Sequence, residues 1–280
     1  MRKVVINEKI SDNSYLIGIE DKDIIKNFIP GQFCIIMASD HSERIPLTIY
    51  DYDDNGIVYL IYQVIGASTL ELSMVKDYIY SLSGPLGRPS EICLNYKDYL
   101  DKKIIYVAGG VGIAPVYPQV KYLKDKGISC DIIYGARNKD LLLIKDKIEA
   151  ISNVTYATDD GSFGIKGNVC DALSQVINQY DYCVTIGPVI MMKFVCDLTK
   201  KHSLKTIVSM NPIMVDGSGM CGACRCMVDG KMKFACIDGP EFDGHLVDFD
   251  SAIKRLNIYK EEEKEKMNLM KKKLENNDGR

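Results

Sequence analysis

Over residues 1–98 the hydrophobic positions fall in short runs rich in Ile, Val and Tyr, separated by turn-forming residues. KVVINEKI, SYLIGIE, QFCIIMA, IPLTIYDY and GIVYLIYQVI are set apart by SDN, IPGQ and DDNG. Runs of this length and spacing predict the strands of a small antiparallel barrel or sandwich. One helix is predicted within them, over STLELSMVKD.

From Lys102 the rhythm changes. KIIYVAGG, SCDIIYGA, VTYATDDG, YDYCVTIGP and LKTIVSM read as buried strands. They alternate with helical stretches APVYPQVKYLKDKG, KDLLLIKDKIEAIS, VCDALSQVINQ and VIMMKFVCDLTKKH. Alternation of this kind predicts a doubly wound parallel sheet over 99–208, with ligands beyond the carboxyl ends of its strands. Residues 209–248 are rich in Gly, Cys, Met and Asp, with little periodicity and too few large apolar residues for a core of their own. A metal centre is the simplest way to hold such a segment. The remainder, 249–280, reads as a charged tail whose YKEEEKEKMNLMKKKLENNDGR predicts a solvated helix with Glu-to-Lys pairs at i,i+4 and a frayed end. The expected fold is therefore α+β and multidomain.

Composition narrows the function. A net charge of -3 over 280 residues argues against a nucleic-acid surface. No apolar run approaches the roughly 18 residues of a membrane span, and MRKVVINEKISD lacks the apolar core of a signal peptide, so a cytoplasmic protein is expected. Of ten cysteines, Cys221, Cys224, Cys226 and Cys236 cluster, and the other six sit singly in apolar segments as expected of core residues.

Two stretches carry chemistry. In VAGGVGIAP a strand turns into a helix. Gly109, Gly110 and Gly112 let a ligand approach the main chain, the helix start offers free N–H groups to phosphate, and Pro115 suits a first helical turn. In VDGSGMCGACRCMVDGKMKFAC, Cys221, Cys224 and Cys236 follow the end of a plant-type C-x4-C-x2-C…C cluster pattern, with Asp216 at the first-cysteine position. Metal-free thiols, a zinc knuckle and a [2Fe–2S] cluster are the three readings. The Cys226-x9-Cys236 spacing fits zinc poorly and favours iron–sulfur. The fourth ligand stays open between Asp216 and Cys226, which a strand would place on the same face as Cys224.

Gly109 to Pro115 match residue for residue the G-G-x-G-x-A-P motif of the ferredoxin-NADP reductase superfamily, and the chain resembles that superfamily from barrel to nucleotide domain. The resemblance implies FAD and NAD(H). It places Gly187, Pro188 and Met191 of TIGPVIMMK near the nicotinamide, with Ile186 where the family often has Cys, and Arg137 and Asp160 at nucleotide-contact loops. ERIPLTIYD resembles the flavin signature: Arg44 toward the pyrophosphate, Ile45, Pro46 and Leu47 along the strand, and Thr48 facing the reactive edge of the flavin. Ile61, Tyr62 and Gln63 correspond to the strand whose backbone lines the ring, and Gly66, Ser68 and Thr69 to a second phosphate turn. SGPLGRP resembles the loop after the last barrel helix. Including the cluster stretch, nearly the whole chain is similar to small subunits of NADH-dependent reduced ferredoxin:NADP oxidoreductase, which is electron-bifurcating, and to sulfide dehydrogenase beta subunits. That likeness implies a [2Fe–2S] cluster held by Asp216, Cys221, Cys224 and Cys236. It also implies a heterodimer with a large flavin and [4Fe–4S] subunit, through which ferredoxin and NADP are reached. The electron-transfer subunit of dihydroorotate dehydrogenase shares the architecture with four cysteines. None of His41, His202 and His245 falls in a catalytic motif.

Overall fold

The computed structural model describes residues 1–278. The first unit contains β1 (Arg2–Lys9), β2 (Ser14–Glu20), α1 (Lys22–Asn27), β3 (Phe33–Met37), β4 (Ile45–Tyr52), β5 (Ile57–Gln63), α2 (Ala67–Ser73), β6 (Tyr78–Ile79), β7 (Ser81–Leu86) and α3 (Glu91–Leu94). Its antiparallel sheet runs β6-β1-β2-β5-β4-β3-β7. The two edge strands are joined through Tyr80 alone, whose N–H reaches the carbonyls of Met37 and Ala38, so the sheet rolls up until its edges meet. Ile17, Ile19, Ile36, Val58, Leu60 and Tyr62 fill the interior. Two local expectations fail. SGPLGRP is not simply a loop, because its first half continues β7. The short α1 went unread because its 6 residues are too few to show a helical period; Asp21 caps it by accepting the N–H groups of Asp23 and Ile24.

The second unit contains β8 (Ile104–Gly109), α4 (Ile113–Asp125), β9 (Cys130–Ala136), α5 (Lys145–Glu149), β10 (Asn153–Thr158), β11 (Ile165–Lys166), α6 (Val169–Val176), β12 (Tyr182–Ile186), α7 (Val189–Lys201) and β13 (Lys205–Ser209). The helix expected over KDLLLIKDKIEAIS is broken into a 3-10 turn, Lys139–Leu141, and the short α5. Between them Leu142 and Leu143 are drawn into the core, and Tyr134 Oη accepts the Leu143 N–H at 3.0 Å. Burial of two leucines outweighs local helix preference here. Of the six isolated cysteines, Cys34, Cys93, Cys130, Cys183 and Cys196 are buried and Cys170 is half-buried.

The third segment does form strands: a hairpin of β14 (Arg225–Val228) with β15 (Lys231–Phe234), then β16 (Glu241–Asp243). They are too short to leave a periodic signature. β16 pairs antiparallel with β13, Val208 opposite Phe242, so the large sheet runs β11-β10-β9-β8-β12-β13-β16 and is parallel except at this edge. The third segment thus shares a sheet with the second. The expected tail is also revised. Phe249 and Ala252 of α8 (Phe249–Leu256) are buried against Val189, Met192 and Cys196 of α7. Most of α9 (Lys260–Asp278) is exposed, with Met267 and Met270 half-buried, and its Lys266 pairs with Glu43 of the barrel. The expected fraying falls partly on 279–280, outside the described residues.

The second and third segments meet at Glu241. Its Oε1 accepts the Gln119 Nε2–H at 2.8 Å, and Gln119 Oε1 accepts the Tyr106 hydroxyl at 3.1 Å. Its Oε2 is buried without a hydrogen-bond partner among the described residues. Burial, only partly offset by hydrogen bonding, lifts the carboxyl from an ordinary 4.5 to about 7. Because the folded chain holds this proton more tightly than the unfolded chain, the stability linked to it is full below pH 4.5 and is lost as pH rises through about 7. Glu241→Gln removes that loss. The variant is expected to match the wild type near pH 4 and to melt at higher temperature near pH 8, with a gain of up to about 3 kcal/mol. Thermal unfolding followed at both pH values checks this.

Candidate functional site

The glycine-rich turn lies at the carboxyl end of β8, between β9 and β12, where the strand order of the sheet reverses. Each glycine has a separate steric reason. A Cβ on Gly109 would lie 2.3 Å from Met191 Sδ and 3.1 Å from Pro188 Cδ. One on Gly187 would meet Met191 Cε at 2.7 Å, and one on Gly112 would meet the Ile186 carbonyl at 2.2 Å. Gly109, Gly112, Gly187, Pro188 and Met191 therefore form one close-packed floor. Gly110 differs: its φ is +54°, and nothing lies within 4 Å of where a Cβ would sit. The main chain is open there to an approaching ligand. Pro115 occupies the first turn of α4, as expected. Arg137 and Asp160 follow β9 and β10 at the same sheet edge, and the Asp160 N–H donates to the Arg137 carbonyl at 3.2 Å. The Asp160 carboxylate accepts from Ser162, which holds it below the usual range.

In the barrel, Ile45, Pro46, Leu47 and Thr48 of β4 lie opposite Ile36, Ile35, Cys34 and Phe33 of β3. Ile61 and Tyr62 are buried and Gln63 is half-buried. The Tyr62 hydroxyl donates to Asn7 at 2.9 Å, so its side chain belongs to the barrel core and only its backbone is free to line a ligand. At the turn before α2, Thr69 Oγ1 accepts the N–H groups of Ile65 and Gly66, both at 3.1 Å, and is consumed within the turn. Ser68 donates to Glu43 at 2.6 Å, and Glu43, pulled below its ordinary range by Lys266 and Ser68, was not anticipated from sequence. Arg44 is also placed differently from expectation. It sits just before β4 begins, and its Nε donates to the Val215 carbonyl at 2.8 Å, toward the cysteine loop rather than the α2 turn.

That loop is seated on the barrel. Gly217, Gly219 and Gly222 have φ of +74°, +85° and +66°, and a Cβ on Gly217 would lie 2.7 Å from Leu86 and 2.8 Å from Ile35. Asp216 accepts the Ser218 N–H at 2.8 Å through Oδ1 and the Cys221 N–H at 3.0 Å through Oδ2, which keeps it ionised. Cys224 and Cys236 are buried with sulfurs 3.1 Å apart, and burial pushes the Cys236 thiol up to about 12. Cys221 is exposed. Main-chain N–H groups face the sulfurs: Ala223 to Cys221 and Cys236 to Cys224, both at 3.5 Å. Cys226 faces elsewhere. Its sulfur approaches the Lys233 carbonyl and a small apolar recess lined by Met210, Pro212 and Leu256. Among the described residues no three His, Cys, Asp or Glu side chains converge as a metal shell. Two of the four expected ligands are paired, and Asp216 grips the backbone of a third. Full convergence is what metal–ligand bonds would supply. Three thiols and a carboxylate on a glycine-hinged loop, with N–H groups turned to sulfur, fit a [2Fe–2S] cluster.

Comparison with known proteins agrees with this geometry. Residues 211–248 match the iron-sulfur cluster binding domain of dihydroorotate dehydrogenase B, and residues 106–197 match the oxidoreductase NAD-binding domain. A Thermotoga maritima protein, named as a dihydroorotate dehydrogenase B (NAD(+)) electron transfer subunit homolog, is 44% identical, covering 94% of this chain and 93% of its own. The chain belongs to the electron-transfer subunit family of dihydroorotate dehydrogenase B. The Clostridium acetobutylicum electron transfer subunit is 33% identical, covering 87% of this chain and 95% of its own. A solved structure titled for flavin-based electron bifurcation by NADH-dependent reduced ferredoxin-NADP oxidoreductase superposes with a TM-score of 0.85 at 40% identity, covering 94% of this chain and 95% of that one. This family member is therefore an oxidoreductase subunit with an NAD-binding and an iron–sulfur domain. No helix among its described residues is long and apolar enough to cross a membrane.

The two nucleotide-turn glycines should fail differently. Gly110→Ala meets only left-handed backbone strain, about 1–2 kcal/mol. Gly112→Ala must push the start of α4 away from the carboxyl end of β12 and is expected to lower the melting temperature more, a ranking that calorimetry of the two variants checks.

Proposed function

We infer that this chain is the NAD(H)-linked flavin and [2Fe–2S] subunit of a larger oxidoreductase, passing electrons between NAD(H) and a partner subunit. The observation that carries this reading is the seating of the cysteine loop on the flavin-barrel strands: Cys224 and Cys236 pack in one apolar cluster with Phe33 and Ile35 of β3. Thr48 lies opposite that same Phe33. A carrier at Thr48 and a cluster at the loop are thus neighbours through a single strand.

FAD, when bound, converts between two-electron hydride transfer and the one-electron transfers that a cluster requires. The chain's own residues do the positioning. Thr48 would offer a hydroxyl to the flavin's reactive edge, and the backbone of Ile61 to Gln63 would line the ring. Gly66 and Ser68 would lie toward the pyrophosphate. Gly109, Gly110, Gly112, Gly187, Pro188 and Met191 would shape the nicotinamide floor, with Arg137 and Asp160 beside the nucleotide's polar end. Asp216, Cys221, Cys224 and Cys236 would hold the cluster, and the buried Cys224 and Cys236 would shield its inner side from water.

The finer reading is the small subunit of an electron-bifurcating NADH-dependent ferredoxin:NADP oxidoreductase in the cytoplasm. There it forms a heterodimer with a large flavin and [4Fe–4S] subunit through which ferredoxin and NADP are reached. The likeness to the bifurcating enzyme's solved chain supports it. The second reading, an electron-transfer subunit serving dihydroorotate dehydrogenase, is favoured by the match over 211–248. Asp216 separates them.

Protein purified with and without its large partner is expected to hold FAD and two irons per chain and to reduce a dye with NADH. A colourless, zinc-containing protein would sink the proposal. Asp216→Ala is expected to lose iron or shift the spectrum of the reduced cluster, whereas Cys226→Ala keeps both. The opposite ranking would favour the four-cysteine reading.

A further inference from the structure

Arg44 is the residue whose placement departs furthest from the flavin motif. It lies immediately before β4 and four positions before Thr48, yet its Nε donates to the carbonyl of Val215 at 2.8 Å, across 171 residues of chain. Val215 is the residue immediately before Asp216. Beyond it, Asp216 takes the N–H groups of Ser218 and Cys221, and Gly217, at a φ of +74°, abuts the ends of the Ile35 and Leu86 side chains so closely that a Cβ would displace them. The start of the loop is therefore fixed on either side of Asp216, by a hydrogen bond on Val215 and by side-chain contact on Gly217. Both anchors belong to the barrel. Cys226 has no such tie to the barrel; it lies on the hairpin and faces the Lys233 carbonyl.

We propose that Arg44 is a positioning residue for the cluster: by holding the Val215 carbonyl it sets Asp216, rather than Cys226, as the fourth ligand, and it ties the cluster loop to the strand that carries Thr48. The inference rests on the reading that this loop holds a [2Fe–2S] cluster. It assigns Arg44 a task different from neutralising a flavin pyrophosphate, and the two tasks have different chemical requirements. A pyrophosphate needs the positive charge. The Val215 carbonyl needs only an N–H at the position of Nε. Glutamine carries its side-chain nitrogen the same number of bonds from Cα as arginine Nε, so Arg44→Gln keeps the donor and removes the charge. Arg44→Ala removes both.

The test uses the full chain with its cofactors. Flavin and iron per chain, the rate of iron loss to a chelator, and the electron paramagnetic resonance spectrum of the dithionite-reduced cluster are compared for wild type, Arg44→Ala and Arg44→Gln. Arg44→Ala is expected to lose iron roughly tenfold faster, the scale for removing a group that orients a metal ligand. Its cluster signal should shift toward that of the Asp216→Cys variant, while flavin per chain stays near wild type. Arg44→Gln should restore iron retention and signal. Recovery by Gln also supports the proposal if the Ala variant loses both cofactors through misfolding. The proposal is overturned if Arg44→Ala loses flavin with an unchanged cluster signal, if Arg44→Gln fails as badly as Arg44→Ala, or if neither variant changes anything. Wild-type protein without iron would instead refute the underlying functional reading, with the role of Arg44 in flavin binding still readable from its flavin content.

Discussion

The close contact between the cysteine loop and strand β3 is the constraint on which the rest of this molecule depends. Gly217 takes a left-handed backbone where it meets Ile35 and Leu86, so that any Cβ would both be strained and displace their side chains, and Cys224 and Cys236 share an apolar cluster with Phe33 and Ile35. A segment with too few large side chains for its own core borrows one from the barrel. The borrowing also serves function, because electron transfer requires short, fixed separations between carriers. The other inter-segment ties act in the same sense: β16 completes the sheet of the nucleotide unit, and Glu241 reaches Gln119 from that strand. The three segments are cross-braced rather than strung on linkers.

This bracing explains which parts of the molecule were legible in the chain. Strands β2 and β4 coincide with the SYLIGIE and IPLTIYDY runs, and the alternating half was readable because its strands and helices are long enough to show their periods. Gly109 to Pro115 announced themselves because the steric demands on those glycines come from neighbours within one motif or its known counterpart around Gly187. What escaped were features whose causes lie far away in sequence. Leu142 and Leu143 interrupt a helix because Tyr134 and the core claim them. The β14–β15 hairpin and β16 are too short to leave a pattern.

The same distinction applies within the site. Asp216 and the cysteines were visible as a spaced set, because metal-ligand spacing is written locally. The partner of Arg44 was not, since nothing around ERIPLT points to a carbonyl 171 residues away. Glu43 and Lys266 were missed for a related reason: a surface ion pair between a barrel loop and a charged helix has no motif. Thr69 looks like a ligand group in sequence, although its hydroxyl is needed to close the turn that contains it. Local patterns identify which groups are capable of a chemistry, and long-range packing decides which of them are free for it.

The antiparallel strand β16 has a further consequence for solubility. Along Ile207, Val208 and Ser209 it covers the backbone of β13, which would otherwise be the open margin of the six remaining strands. An uncovered margin is a template for pairing with another chain. Because β16 is continuous with the cysteine segment, whatever loosens that segment also tends to bare the margin. The segment that carries the cysteines thus also shields the backbone of β13, which on its own would face solvent along one side.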